Sequence, residues 1–96
     1  MEQVKHTLEN ILSSIEDTGI LNDENLNLLT TASREYKTIV IELHKTDGSK
    51  FGELPDEIEE FNEAKEEART SKTNVDKYHA YRTNVVRKIE NAINML

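Results

Sequence analysis

The sequence contains no cysteine and no tryptophan, and it has only one proline, three glycines and five aromatic residues. Without cysteine, the chain forms no disulfide, offers no thiolate to a metal and has no thiol nucleophile. Apolar runs are equally scarce, because none exceeds a few residues and the longest apolar β-branched run is residues 39–41. We therefore expect no membrane-spanning segment, no signal peptide after Met1 and no membrane partner. These absences predict a cytoplasmic protein.

Charged residues are abundant in the sequence. Acidic residues outnumber basic ones nineteen to twelve, which gives a net charge of −7 and an isoelectric point near 4.9. This charge makes direct binding to nucleic acid unfavourable. Hydrophobic residues form 35% of the 96 residues, so we expect one domain with a modest core. The many lysines and asparagines are typical of AT-rich coding genomes, such as those of phages and low-GC bacteria.

The first half of the chain predicts two helices. An apolar stripe at helical spacing predicts helix one over residues 2–17, with a left-handed Gly19 ending it and Ile20 and Leu21 folding back onto the stripe. Asn22 or Asp23 offers an N-cap for helix two, over residues 23–44. The alternative is an α+β fold with a short hairpin at 37–51, turning at Asp47-Gly48.

A loop over residues 45–54 separates these helices from a third. Pro55 suits the first position of a helix, so helix three is expected over residues 55–95. Residues 70–74 have indifferent helix propensity, and a kink is expected there as an alternative to one straight helix. A break at that point would produce a compact three- or four-helix bundle.

The third helix repeats apolar residues with 3,4 spacing, which predicts packing along its length against another helix. Residues 53–68 carry net charge −7 and residues 69–88 carry +5, so an antiparallel copy would be attracted. The sequence therefore predicts an all-α fold: a helical hairpin plus one long C-terminal helix that forms an antiparallel coiled-coil homodimer. The predicted dimer seam consists of Phe61, Ala64, Ala68, Ser71, Val75, Tyr78, Arg82, Val85, Ile89 and Ala92.

Carboxylates on the first half of the third helix form the predicted partner-binding surface. Glu59, Glu63 and Glu67 share one face, where like charges destabilise the helix unless a basic partner answers them. The simpler explanation is a solvated face that keeps the protein soluble. The whole surface consists of Glu57, Glu59, Glu60, Glu63, Glu66 and Glu67.

These features predict a non-enzymatic acidic protein-binding module, an inhibitor or adaptor whose protein partner has a basic surface. One alternative is a nucleic-acid mimic that inhibits a DNA- or RNA-binding protein. The other is a structural or scaffolding coiled coil. We predict no catalytic residues, no cofactor and no metal, because His6, His44 and His79 are isolated and no phosphate loop is present.

Overall fold

The computed structural model describes residues 2–56, 58 and 72–96. Within these ranges the chain is all-helical and has no strand, which confirms the all-α prediction and shows that the hairpin alternative at 37–51 is wrong. The helices are α1 (Glu2–Ser14), α2 (Asp23–Thr46), α3 (Gly48–Phe51) and α4 (Lys72–Met95).

Helix α1 forms as its apolar stripe predicts, with Leu8 and Ile11 buried, but it ends three residues earlier than predicted. The turn that follows tightens, because the Ile15 and Glu16 amides bond to carbonyls only three residues back. Gly19 is not left-handed, since no described glycine has a positive φ. The predicted return of Ile20 to the stripe is wrong, because this side chain is 75% exposed. Leu21 does pack against the core.

Helix α2 begins at the N-cap that the sequence predicts. The Asn22 side chain accepts a hydrogen bond from the Asn25 backbone N–H at 2.8 Å. This bond satisfies one of the free donors of the first turn. The helix then continues to Thr46, two residues past the predicted end. Its apolar face buries Leu29, Ala32, Tyr36, Val40 and Leu43.

The predicted loop 45–54 contains one extra helical turn, α3. The Asp47 carboxylate accepts from the Lys50 backbone N–H at 3.1 Å and from the Ser49 hydroxyl at 2.8 Å. These two hydrogen bonds, the Ser49 bond foremost, lower the pKa of Asp47. Asp47 therefore caps a helix at the position where Asp-Gly suggested a hairpin turn, and the turn places Phe51 in the core.

Pro55 does not begin a helix, because Pro55, Asp56 and Ile58 are all non-helical. The Pro55 carbonyl accepts a hydrogen bond from the Tyr36 hydroxyl at 2.6 Å. One residue earlier, the Leu54 carbonyl oxygen lies 2.9 Å from His44 Nε2. Side chains of α2 therefore hold this segment in a non-helical conformation.

Helices α1, α2 and α4 each contact the other two and form a three-helix bundle. Helix α4 is antiparallel to α1, since its first half contacts Thr18 whereas Glu90 and Ile93 lie beside Glu9 on α1. The α1–α2 hairpin is also antiparallel, so α2 and α4 run in the same direction. Lys72 consequently lies at the opposite end of the bundle from Thr46. The described part of α4 begins at Lys72, so the predicted kink at 70–74 lies partly outside the described residues and stays a prediction.

Candidate functional surface

The predicted acidic surface lies outside the described residues, and it stays a prediction. The same holds for the first half of the predicted dimer seam. The positions concerned are Glu57, Glu59, Glu60, Glu63, Glu66 and Glu67 of the acidic surface, and Phe61, Ala64, Ala68 and Ser71 of the seam.

The second half of the predicted seam lies on α4 and is used inside one chain. Val85, Ile89 and Ala92 are each fully buried in the core that α4 forms with α1 and α2. Tyr78 is also fully buried, and Val75 and Arg82 are partly buried. A partner helix could reach these positions only by displacing α1 or α2. The homodimer itself stays a prediction, but this half of the seam already has its packing partners.

Arg82, a polar interruption of the seam, also finds its partners in the same chain. Its Nε donates to Thr18 Oγ1 at 3.0 Å and its Nη2 donates to the Glu16 carbonyl at 2.9 Å. Thr18 is almost completely buried, and its hydroxyl donates to the Ile15 carbonyl at 2.6 Å. The guanidinium thus binds acceptors just past the carboxyl end of α1, where positive charge is favourable.

Two tyrosines fasten connecting segments to the bundle. The Tyr78 hydroxyl donates a hydrogen bond to the Thr18 carbonyl at 2.5 Å. The Tyr36 hydroxyl donates one to the Pro55 carbonyl at 2.6 Å. Burial raises the pKa of Tyr78. Burial, with a smaller contribution from the charge of Asp56, raises the pKa of Tyr36 to about 12. Both phenols are therefore protonated donors at neutral pH, suited to bracing rather than to proton transfer.

A groove of about 550 Å³ runs between α1 and α2. It lies on the flank of α1 away from α4, because Glu9, Leu12 and Ser13 on the other flank face α4. Ile11, Leu28 and Ala32 supply its apolar surface, and Leu28 is 39% exposed there. Polar side chains complete the lining: Thr7, Asn10, Ser14, Glu24, Asn27, Thr31 and Glu35.

The groove carries negative charge and several hydrogen-bond acceptors, beside the amides of Asn10 and Asn27, which can donate as well as accept. Its lining includes the carboxylates of Glu24 and Glu35 and no basic side chain. The hydroxyl of Thr7 donates to the Gln3 carbonyl at 2.9 Å, and that of Ser14 donates to the Ile11 carbonyl at 2.6 Å. Because each hydroxyl has a single proton, these two oxygens can offer only lone pairs to a ligand. The groove therefore suits a ligand that is cationic and rich in donors.

The loop that joins α1 to α2 contains the exposed Ile20, and hydrogen bonds from side chains hold the backbone of this loop. The Ile20 carbonyl accepts from the Asn25 side-chain amide at 2.7 Å, and Thr18 is held by Tyr78 and Arg82. Four carboxylates occur within residues 16–24 of the same loop and the start of α2. This end of the hairpin is therefore acidic and ordered by hydrogen bonds.

A second depression, of about 310 Å³, lies between α1 and α4. It also contains two carboxylates, Glu9 and Glu90, beside Leu12 and Ile93. Its lining is smaller than that of the α1–α2 groove and has two apolar side chains, Leu12 and Ile93, where the groove has three. The two depressions carry equal numbers of carboxylates, which makes Glu9 and Glu90 matched controls for Glu24 and Glu35.

Chemically reactive clusters are not found in the part of the chain that the structure describes. That part contains no group of three or more histidine, aspartate or glutamate side chains suited to a metal ion. His44 is engaged with the Leu54 carbonyl, and His79 packs edge-on against the Tyr78 ring. None of the described helices combines the length and apolar content that a membrane span requires.

Sequence reasoning missed the α1–α2 groove. The available signal was a row of small polar residues at helical spacing beside each apolar stripe, namely Thr7, Asn10 and Ser14 on α1 and Asn27 and Thr31 on α2. Such residues neither fill a core nor carry the surface charge of a solvated face.

No protein-family model, curated protein or solved structure matches this chain.

Proposed function

We propose that this protein is a non-enzymatic acidic protein-binding module that acts as an inhibitor or adaptor of a partner with a basic surface. The observation that carries the proposal is the excess of acid before α4, both at the predicted acidic surface and on the α1–α2 hairpin. Residues 2–47 hold nine carboxylates against four lysines and arginines. A surface of this sign accelerates encounter with a cationic partner and repels a polyanion.

The distribution of basic residues supports the proposal further. Residues 72–96 carry five lysines and arginines against two acidic residues, so the bundle is electrostatically uneven. Arg82, the cation within the predicted seam, is engaged with Thr18 and Glu16. The excess negative charge therefore comes from residues before α4, including α1, α2 and the predicted acidic surface at 57–67. An uneven field of this kind orients a charged partner as it approaches.

The test compares two triple variants with the same change of charge. Glu59→Lys/Glu63→Lys/Glu67→Lys reverses the predicted acidic surface, whereas Glu2→Lys/Glu42→Lys/Glu90→Lys reverses exposed carboxylates on three different helices. Each immobilised protein is exposed to extract from its native cells, and the retained proteins are quantified by mass spectrometry.

We expect the wild type and the control variant to retain a basic protein that the first variant loses, with all three showing the same helical circular dichroism. Equal retention by all three proteins would return the acidic surface to the role of a solvated face. Equal loss from both variants would show that only the total charge matters.

A further inference from the structure

We infer that the α1–α2 groove is the docking site for a basic amphipathic helix of the partner protein. This inference rests on the proposed function and adds to it a place and a ligand chemistry. The groove is open rather than enclosed, so it fits the side chains along one face of a helix better than a small molecule. A helix lying in it would complete a four-helix arrangement with α1, α2 and α4.

The dimensions of the groove set the length of the docked helix. Glu24 and Glu35 lie eleven residues apart on α2, or about 17 Å at 1.5 Å per residue. Two residues eleven apart also share one face of any α-helix, because three turns contain about eleven residues. A partner helix with cations at both ends of a three-turn stretch would therefore place one beside each carboxylate.

The apolar surface sets what lies between the two cations. Leu28 and Ala32 are placed between Glu24 and Glu35 on the same flank of α2, and Ile11 faces them from α1. Leu28 is the accessible member of this set, whereas Ile11 and Ala32 are almost completely buried. One or two large apolar side chains at the middle of the partner helix would cover Leu28 and remove its surface from water.

The polar groups that line the groove favour a partner helix with positive charge. Thr7 and Ser14 have already donated their hydroxyl protons to α1 carbonyls, so both oxygens can only accept. Together with the two carboxylates, they favour lysine and arginine, which only donate. An acidic helix would leave these groups unpaired and meet repulsion from the carboxylates at both ends.

A designed peptide tests the inference without knowledge of the natural partner. The probe is a fluorescein-labelled helical peptide with lysine at positions i and i+11 and leucine at i+4 and i+7, all on one face. A second peptide of the same composition carries the lysines at i and i+9, on opposite faces. Binding is followed by fluorescence anisotropy at physiological ionic strength, where non-specific attraction between exposed charges is screened.

Three variants locate the site. Glu24→Lys/Glu35→Lys and Leu28→Lys should each weaken binding of the first peptide by at least about tenfold, because they replace attraction with repulsion and remove the apolar contact. The matched control Glu9→Lys/Glu90→Lys should weaken it by less than about threefold, because its effect is only the change of net charge. All four substituted glutamates are exposed and Leu28 is partly so, and circular dichroism checks that each variant is folded.

Other outcomes overturn the inference. These are no binding to the wild type, equal weakening by the control pair, or equal affinity for both peptides. Wild-type dimers that Leu28→Lys converts to monomers would assign the groove to a second copy of the chain. Loss of peptide binding only in Glu59→Lys/Glu63→Lys/Glu67→Lys would exclude the groove but leave the proposed function standing.

Discussion

The two roles available to Arg82 predict stability changes of opposite sign on Arg82→Leu. In the dimer seam predicted from sequence, Arg82 faces a second copy of the chain, and leucine would exchange a desolvated cation for apolar packing. In the bundle, leucine removes the hydrogen bonds to Thr18 Oγ1 and to the Glu16 carbonyl. The sign of the change therefore distinguishes the two arrangements.

The size of the expected loss of stability follows from the surroundings of each Arg82 hydrogen bond. Hydrogen bonds to charged groups contribute about 1.5–3 kcal/mol, but the bond to Glu16 is exposed and contributes little. Thr18 is buried, although its hydroxyl keeps a bond to Ile15, so the loss there is partial. We expect Arg82→Leu to reduce the free energy of unfolding by about 1–2 kcal/mol and lower Tm by about 4–15 °C.

The assay is urea unfolding followed by far-ultraviolet circular dichroism. Arg87→Leu is the matched control, because Arg87 is exposed on the same helix and the charge change is identical. The control should change stability by no more than about 0.5 kcal/mol. An Arg82→Leu protein as stable as the wild type, or more stable, would refute the intramolecular role of this residue.

Two further predictions concern Tyr36 and Gly52. The folded pKa of Tyr36, about 12, lies above its ordinary value of 10, so its stabilising contribution is complete below pH 10 and is lost as the pH rises through 12. The absorbance of phenolate should show a tyrosine that titrates near pH 12 and is lost in Tyr36→Phe, while the raised titration of Tyr78 remains. Titration of every tyrosine near pH 10 would contradict this. A Cβ at Gly52 would overlap the Gly48 carbonyl oxygen, whereas one at Gly48 meets open space. Gly52→Ala should therefore lower the free energy of unfolding by about 1–3 kcal/mol in the same urea assay, and Gly48→Ala should not; equal effects would contradict the packing described.

The helices that the sequence predicts well are those whose signals are local. The apolar stripe from Leu8 to Ile15 and the cap at Asn22 depend on residues three or four apart, and both were confirmed. The start at Pro55 failed for a non-local reason, because the competing hydrogen bond comes from Tyr36, nineteen residues away. Helix α3 was missed because an aspartate before glycine can cap a helix as well as turn a hairpin.

The heptad pattern identified which face of α4 is buried but not what covers it. Val85, Ile89 and Ala92 are buried as the spacing requires, yet a stripe facing α1 and α2 has the same sequence signature as one facing a second chain. The hydrogen bonds of the polar seam residue show which element covers this face. Arg82 bonds to residues more than sixty positions away, a pairing that no local pattern could predict.

Helix α4 packs against α1 and α2 of its own chain, and this packing separates the bundle from a coiled-coil dimer. Isotope-filtered NOE spectroscopy on refolded mixtures of labelled and unlabelled chains tests this directly. We predict that the methyl groups of Val85 and Ile89 show NOEs only to α1 and α2 of the same chain. Intermolecular NOEs from these methyl groups would contradict the account and restore the antiparallel coiled-coil dimer.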